Sequence, residues 1–178
     1  MTAPIRARVR RAGPGEAAAV AALAARTFPL ACPPTLSPEH IDDFVAAHLS
    51  EAEFDRHLAD PAHRVLVVDG PDGPVGYALV LHGVHDEGPA ALRGAPSAYL
   101  SKLYVDPGHH GGGVARALLD AVRADAGGLP VWLGVNADNA RAKRFYAKSG
   151  FVAVGVREFT VGGTTFVDDV LVLDAGGE

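Results

Sequence analysis

The stretch Tyr99–Ala121, YLSKLYVDPGHHGGGVARALLDA, decides the fold. Tyr99 to Val105 is a short run of aromatic, β-branched and leucine residues ending at Asp106-Pro107, which reads as a buried strand closed by a turn. Gly108 and the run Gly111-Gly112-Gly113 can take backbone angles closed to other residues. From Val114 to Val122 the apolar positions recur at helical spacing. Strand, glycine loop and helix thus follow one another, an order in which successive backbone N–H groups converge at the positive end of a helix dipole. Such a loop is built to hold an anion, above all a phosphate.

Before this stretch, Ile5 to Arg10 alternates apolar and basic residues as a half-exposed strand does, and Gly13-Pro14-Gly15 turns the chain. Glu16 to Phe28 is rich in alanine, with Val20, Leu23, Ala24 and Thr27 on one helical stripe, and Pro29 is expected to stop this first helix. Four prolines and Cys32 between Pro29 and Pro38 predict an ordered surface loop. Ser37-Pro38 opens a second helix to about Leu49, and the capping-box pair Ser50 and Glu53 opens a third that ends at Asp60-Pro61. Arg64 to Val68 and Val75 to His82 read as an antiparallel hairpin around Asp69–Gly73, and residues 83–97 as a mobile connection.

After the stretch, Gly127-Gly128 and Pro130 end the helix and Val131 to Val135 is a short strand. Asn136 to Asn139 caps a helix over Ala140 to Lys148, closed by Gly150. Phe151 to Phe159 and Thr165 to Leu173 form a final hairpin around Gly162-Gly163, followed by a frayed tail from Ala175. The fold class is α/β, with about seven strands in a mixed, mostly antiparallel sheet flanked by helices in the order β-α-α-β-β-β-α-β-α-β-β.

The 178 residues suit one domain, 1–178, with its core between about 5 and 174. A net charge of −5 and a pI near 5.9 supply no global basic field, so nucleic acid is disfavoured as the main ligand. The single cysteine, Cys32, excludes an internal disulfide, and no apolar run is long enough to span a bilayer, so a cytoplasmic protein without a membrane partner is expected. His109-His110 has no third ligand at metal-site spacing, and no metal is expected. Exposed strand edges in the C-terminal hairpin would let two copies pair as a homodimer.

Two motifs resemble those of the GNAT superfamily of acetyl-CoA-dependent N-acetyltransferases. His110-Gly111-Gly112-Gly113-Val114-Ala115 is similar to the family loop Gln/Arg-x-x-Gly-x-Gly/Ala, with His110 at the Gln/Arg position. Asn139-Ala140 followed by Phe145-Tyr146, Gly150 and Phe151 resembles the family's N-A-x-x-x-x-Y-x-x-x-G-F. Trp132-Leu133-Gly134-Val135, Phe145–Lys148, Gly155, Phe159, Gly162 and Asp169 look like bacterial polyamine (spermidine/spermine) N-acetyltransferases. The resemblance implies acetyl transfer from acetyl-CoA, as co-substrate, to a primary amine, a polyamine or other small amine, within a ternary complex. Protein, peptide, amino-acid or antibiotic acceptors, or a non-catalytic acyl-CoA-binding sensor, are the alternatives. A Rossmann dinucleotide site is disfavoured, because the chain lacks repeated βαβ halves and Arg116 occupies the third glycine position.

The resemblance places the pyrophosphate on the backbone of His110, Gly111, Gly112, Gly113, Val114 and Ala115, with Arg116 adding charge, and pantetheine along Leu103, Tyr104 and Val105. Tyr146 becomes the proton donor to the departing thiolate; a phenol of ordinary pKa about 10 is protonated at neutral pH. A packed aromatic beside Phe145 is the other reading of Tyr146. Asn139 caps the helix and, by resemblance, touches the cofactor, with Asn136 a weaker candidate. Where many relatives carry a glutamate base, this chain has Tyr99 and Gly134, so a water chain ending at Ser101, Tyr99, His82 or an acidic residue is expected to take the amine's proton. Glu39, Asp42, Asp43, Glu51, Glu53 and Asp55 would attract a polycation or form a solvated face, and Phe28, Cys32 and Phe44 would line an acceptor pocket, with core packing the other reading of the two phenylalanines.

Overall fold

The computed structural model describes residues 7–176. Seven strands form one sheet: β1 (Val9–Arg11), β2 (His63–Gly70), β3 (Gly73–Val84), β4 (Pro96–Val105), β5 (Val131–Asn136), β6 (Val152–Val161) and β7 (Thr164–Leu173), in spatial order β1-β2-β3-β4-β5-β7-β6. Five α-helices, α1 (Ala17–Ala31), α2 (Pro38–His48), α3 (Glu51–Ala59), α4 (Val114–Ala126) and α5 (Ala140–Lys148), flank it. All pairings are antiparallel except β4 with β5. This is the mixed, mostly antiparallel sheet expected, and the three helices read between the first two strands all form, one more than the order β-α-α-β-β-β-α-β-α-β-β counts there.

Each face of the sheet has its own core. On one, Leu118, Leu119 and Val122 of α4 and Tyr146 of α5 pack on Val80, Leu100 and Leu133; on the other, Val20, Leu23 and Ala24 of α1 and Phe54 of α3 pack on Val65, Val67, Tyr77 and Leu79. All four residues of the helical stripe are buried, and Ala17 in the first turn joins them. Ser37 accepts from the His40 amide and Ser50 from the Glu53 amide, so both predicted N-caps form.

Several boundaries differ from expectation. Pro29 does not stop α1, which runs two residues further to Ala31. In the last turn a proline forfeits one hydrogen bond but keeps a helical φ, so the chain leaves the helix at Cys32 instead, where it turns extended. The first strand covers Val9–Arg11 rather than Ile5 to Arg10, and positions 5 and 6 lie outside the described residues. The connection expected over 83–97 is shorter and more regular: pairing with neighbouring strands extends β3 to Val84 and starts β4 at Pro96, with a turn of 3₁₀ helix over Ala90–Leu92. The start of the expected C-terminal tail, Ala175–Gly176, is a turn, and residues 177–178 lie outside the described ones.

Candidate active site

The sheet comes apart in its middle. β4 and β5 share two residue pairs, Ala98 with Val131 and Tyr99 with Trp132, whereas β5 pairs with β7 along its whole length. Across from β3, Leu79 faces Lys102 and Val80 faces Leu100, so Ser101 is an extra residue, a β-bulge. A bulge bends its strand and increases its twist, which carries the second half of β4 away from β5. Beyond Tyr99 the β5-facing edge of β4 is therefore left open in mid-sheet.

Two cavities flank this gap. The larger, about 400 Å³, is framed by Phe28 of α1, Cys32 just past its end, Phe44 of α2, Tyr99 to Tyr104 of β4 and residues of the β6–β7 hairpin. The smaller, about 280 Å³, runs past Leu103, Tyr104, Val105, His110, Ala115 and Arg141. Tyr146, Asn139, Leu103 and Tyr104 line both, so the two meet in the gap. The hairpin closes over the larger cavity and its tip lies on α2, where a side chain at Gly162 would strike the His40 ring.

The glycine loop forms at the end of the smaller cavity. Gly111 and Gly113 have φ of +78° and +79°, a region that penalises other residues. The amides of Gly111, Gly113, Val114, Ala115 and Arg116 have no protein acceptor among the described residues, and α4 adds its dipole there. His110 Nε2 donates to the Val105 carbonyl at 2.8 Å, tying the loop to the end of β4. Arg116 turns back along α4 to Asp120 at 3.0 Å, whereas Arg141, which the sequence reading passed over, lines the cavity without a carboxylate partner among the described residues.

Tyr146 is buried with its ring edge-on to Phe145 and Phe151, and its hydroxyl has no protein partner among the described residues. Burial pushes its pKa above the ordinary phenol value. Asn139 caps α5 by accepting from the Ala142 amide at 3.1 Å, and Asn136 accepts from the Asp138 amide at 2.9 Å.

The missing strand carboxylates have a structural counterpart. Arg157 of β6 reaches across β7 and β5: its Nε and Nη2 donate to Asp168 Oδ2 at 3.2 and 3.1 Å, and Nη2 also donates to the Tyr99 hydroxyl at 3.2 Å. Its guanidinium lies over Gly134, where a Cβ would stand 2.7 Å from Cζ and 2.8 Å from Nε. Glycine at this position thus makes room for an arginine. Asp168 is buried, and desolvation raises its pKa although Arg157 pulls the other way. Sequence reasoning missed both residues. The readable signal was a carboxylate in phase with Phe166, Val170 and Val172 on a buried strand face; adjacent Asp169 points the other way, to Lys143 at 2.6 Å.

The remaining candidates divide. Phe28, Cys32 and Phe44 line the larger cavity as expected, with the two rings stacked 4.7 Å apart, and burial raises the Cys32 thiol to about 11. Ser101 and Tyr99 also line it. His82 does not: it pairs with Asp125 of α4 at 2.6 Å. None of Glu39, Asp42, Asp43, Glu51, Glu53 and Asp55 lines either cavity. No cluster of metal-ligating side chains occurs among the described residues, and no helix there is long and apolar enough to cross a membrane.

Comparison with known proteins agrees with this architecture. Residues 32–172 match the family model described as an acetyltransferase (GNAT) domain. An uncharacterized N-acetyltransferase of Mycobacterium bovis is 47% identical over 160 residues, covering 88% of this chain and 96% of its own. A mycothiol acetyltransferase of Frankia alni is 33% identical over 144 residues, 73% of this chain and 43% of its own length. Among solved structures, the PaiA N-acetyltransferase of Thermoplasma acidophilum, in complex with coenzyme A, superposes with a TM-score of 0.75 over 96% of this chain and 99% of its own at 16% identity, a likeness of fold. Since the family model spans most of the chain and the mycobacterial relative matches it nearly end to end, the chain belongs to the GNAT acetyltransferase family and is an acyltransferase of the N-acetyltransferase type.

Proposed function

We propose that the chain transfers acetyl from acetyl-CoA to the primary amine of a small molecule, with the thioester entering from the smaller cavity and the amine from the larger. The observation that carries this is the meeting of the two cavities at Tyr146 in the gap between β4 and β5. Acetyl-CoA supplies an activated thioester, so the chain's task is to bind, orient and move protons. The unpartnered amides of Gly111 and of Gly113 to Arg116 would hold the pyrophosphate, with Arg141 adding charge beside His110 and Ala115. The open edge of β4 from Leu103 to Val105 would pair with the pantetheine chain as an added strand and offer an N–H to the thioester carbonyl.

Tyr146, neutral and without a protein partner, would protonate the leaving thiolate. Asp168 is the carboxylate in the acceptor cavity. Both Arg157 bonds fall on Oδ2, which leaves Oδ1 to receive the amine's proton directly or through water. A polyamine acceptor finds its support in the C-terminal motifs, since the six acidic residues of α2 and α3 stand outside the cavities. Thiol release from acetyl-CoA across a panel of polyamines, amino acids, simple amines and peptides tests the reading. Release with small amines is expected; none with any amine, despite acetyl-CoA binding, refutes transfer and favours a sensor.

A further inference from the structure

We propose that the acceptor is an amino-acid-like molecule, a small primary amine bearing a carboxylate and an apolar side chain, whose carboxylate is held by Lys102 and Arg157. This rests on the acetyl-transfer reading above.

Three charged side chains line the acceptor cavity: Lys102, Arg157 and Asp168. Asp168 is already matched by Arg157, so the set carries one positive charge in excess. Lys102 has no carboxylate partner among the described residues, and its one hydrogen-bond contact is the Ser101 hydroxyl at 3.5 Å. Arg157 spends Nε and Nη2 on Asp168 and Tyr99 and keeps Nη1 without a protein acceptor among the described residues. Two cations therefore face one cavity with donors to spare.

The arrangement is built rather than incidental. Arg157 crosses two strands to arrive there, glycine at position 134 leaves space for it, and Tyr99, stacked on Trp132 at 4.0 Å, anchors its end. Burial, and then Arg157, lower the Lys102 pKa, a penalty that a bound carboxylate reverses. A polycation would instead meet the uncompensated charge of Lys102 in a partly dry cavity, where repulsion is stronger than in water.

The rest of the wall is apolar. Phe28 stacks on Phe44, and Phe159 on Phe166 with centroids 5.6 Å apart, so a branched or aromatic side chain has two aromatic pairs to lie against. The volume of about 400 Å³ stands near the lower end of ligand pockets, which are roughly 300–1,000 Å³, and suits a small acceptor.

Matched pairs decide the matter. Initial rates are measured for leucine against 3-methylbutylamine and phenylalanine against phenethylamine, with O-phosphoethanolamine and spermidine alongside. Calorimetric binding of the same compounds to the CoA-saturated protein is measured in parallel. Each amino acid should exceed its decarboxylated partner about 10- to 100-fold in kcat/KM and in affinity, the value of a charge-assisted pair. Lys102→Gln should bring that ratio close to one, and Lys102→Arg should restore most of it. Equal or better use of the simple amines or of spermidine, or a ratio that Lys102→Gln leaves intact, overturns the proposal. A preference for O-phosphoethanolamine over the amino acids overturns it in favour of a phosphate. Acid-selective binding without turnover upholds the anion site and refutes transfer; neither binding nor turnover refutes both.

Discussion

Gly134→Ala tests the layout of the acceptor floor with a single methyl group. The new Cβ would lie 2.7 Å from Arg157 Cζ and 2.8 Å from Nε, whereas ordinary contact begins near 3.4 Å. The guanidinium must therefore retreat by at least ~0.7 Å, which takes the bonds to Asp168 and Tyr99 from near 3.2 Å past the range in which they count as hydrogen bonds. Because it ends a flexible side chain, the retreat itself costs little strain. The loss is the pairing of Asp168, whose side chain is 10% exposed. We expect about 1–2 kcal/mol lower stability, or a Tm about 2–8 °C lower for a chain of this size.

Kinetics should respond more strongly than stability. Misplacing the acceptor floor by a fraction of an ångström should lower kcat/KM for the amine about 10- to 100-fold. Acetyl-CoA affinity should stay within about twofold, since the loop at Gly111–Ala115 shares no partner with Arg157. Arg157 now restrains the raised pKa of Asp168, so its withdrawal should move the acid limb of the kcat/KM profile to higher pH. Thermal denaturation, calorimetry with acetyl-CoA and pH-dependent initial rates read these three effects. A variant with wild-type Tm and unchanged acceptor kcat/KM would refute the close approach of Arg157 to Gly134 and the acceptor role built on it.

Tyr146→Phe should lower kcat about 10²- to 10⁴-fold; its Tm should hardly change, because the hydroxyl has no protein partner, and a wild-type kcat would end the proton-donor role. Gly113→Ala places a Cβ at φ +79°, which costs about 1–2 kcal/mol and disturbs the amides beside it, so calorimetry should find acetyl-CoA binding at least about fivefold weaker. Glu16 is held down to about 2 by the Arg10 guanidinium and the Gly13 amide, against an ordinary 4.5. Its contribution is thus full above about pH 4.5 and lost as pH falls through about 2. Denaturant titrations at pH 6 and pH 2.5 should show Glu16→Gln losing less stability on acidification than wild type; an equal loss would deny Glu16 that part in acid unfolding. With its side chain 34% exposed, the difference should be small.

The order of elements was legible because it is written in short-range features. Ser37-Pro38, Ser50 with Glu53, and Asn139 mark helix starts through bonds that span three residues, and alternation or helical spacing identifies the segments between. Pro29 misled because proline's cost depends on its position within the helix, and in the last turn of α1 it is tolerated. The acceptor side was hardly legible. The bond from Arg157 to Tyr99 joins residues 58 positions apart, and it follows from a strand order, β4-β5-β7-β6, that no local pattern encodes.

By itself the sequence determined the strand, glycine loop and helix of Tyr99–Ala121, and with them the anion-holding half of the site. Backbone conformation there depends on which residues lack a Cβ, which is a local property. Tertiary structure alone decided the rest. The bulge at Ser101 opened the sheet, the β6–β7 hairpin brought Arg157 over Gly134 and onto Asp168, and Lys102 was left lining the cavity without a carboxylate partner among the described residues. The physical reason is that the charge balance of a pocket is a sum over side chains delivered by several distant elements, and it exists only once those elements have packed.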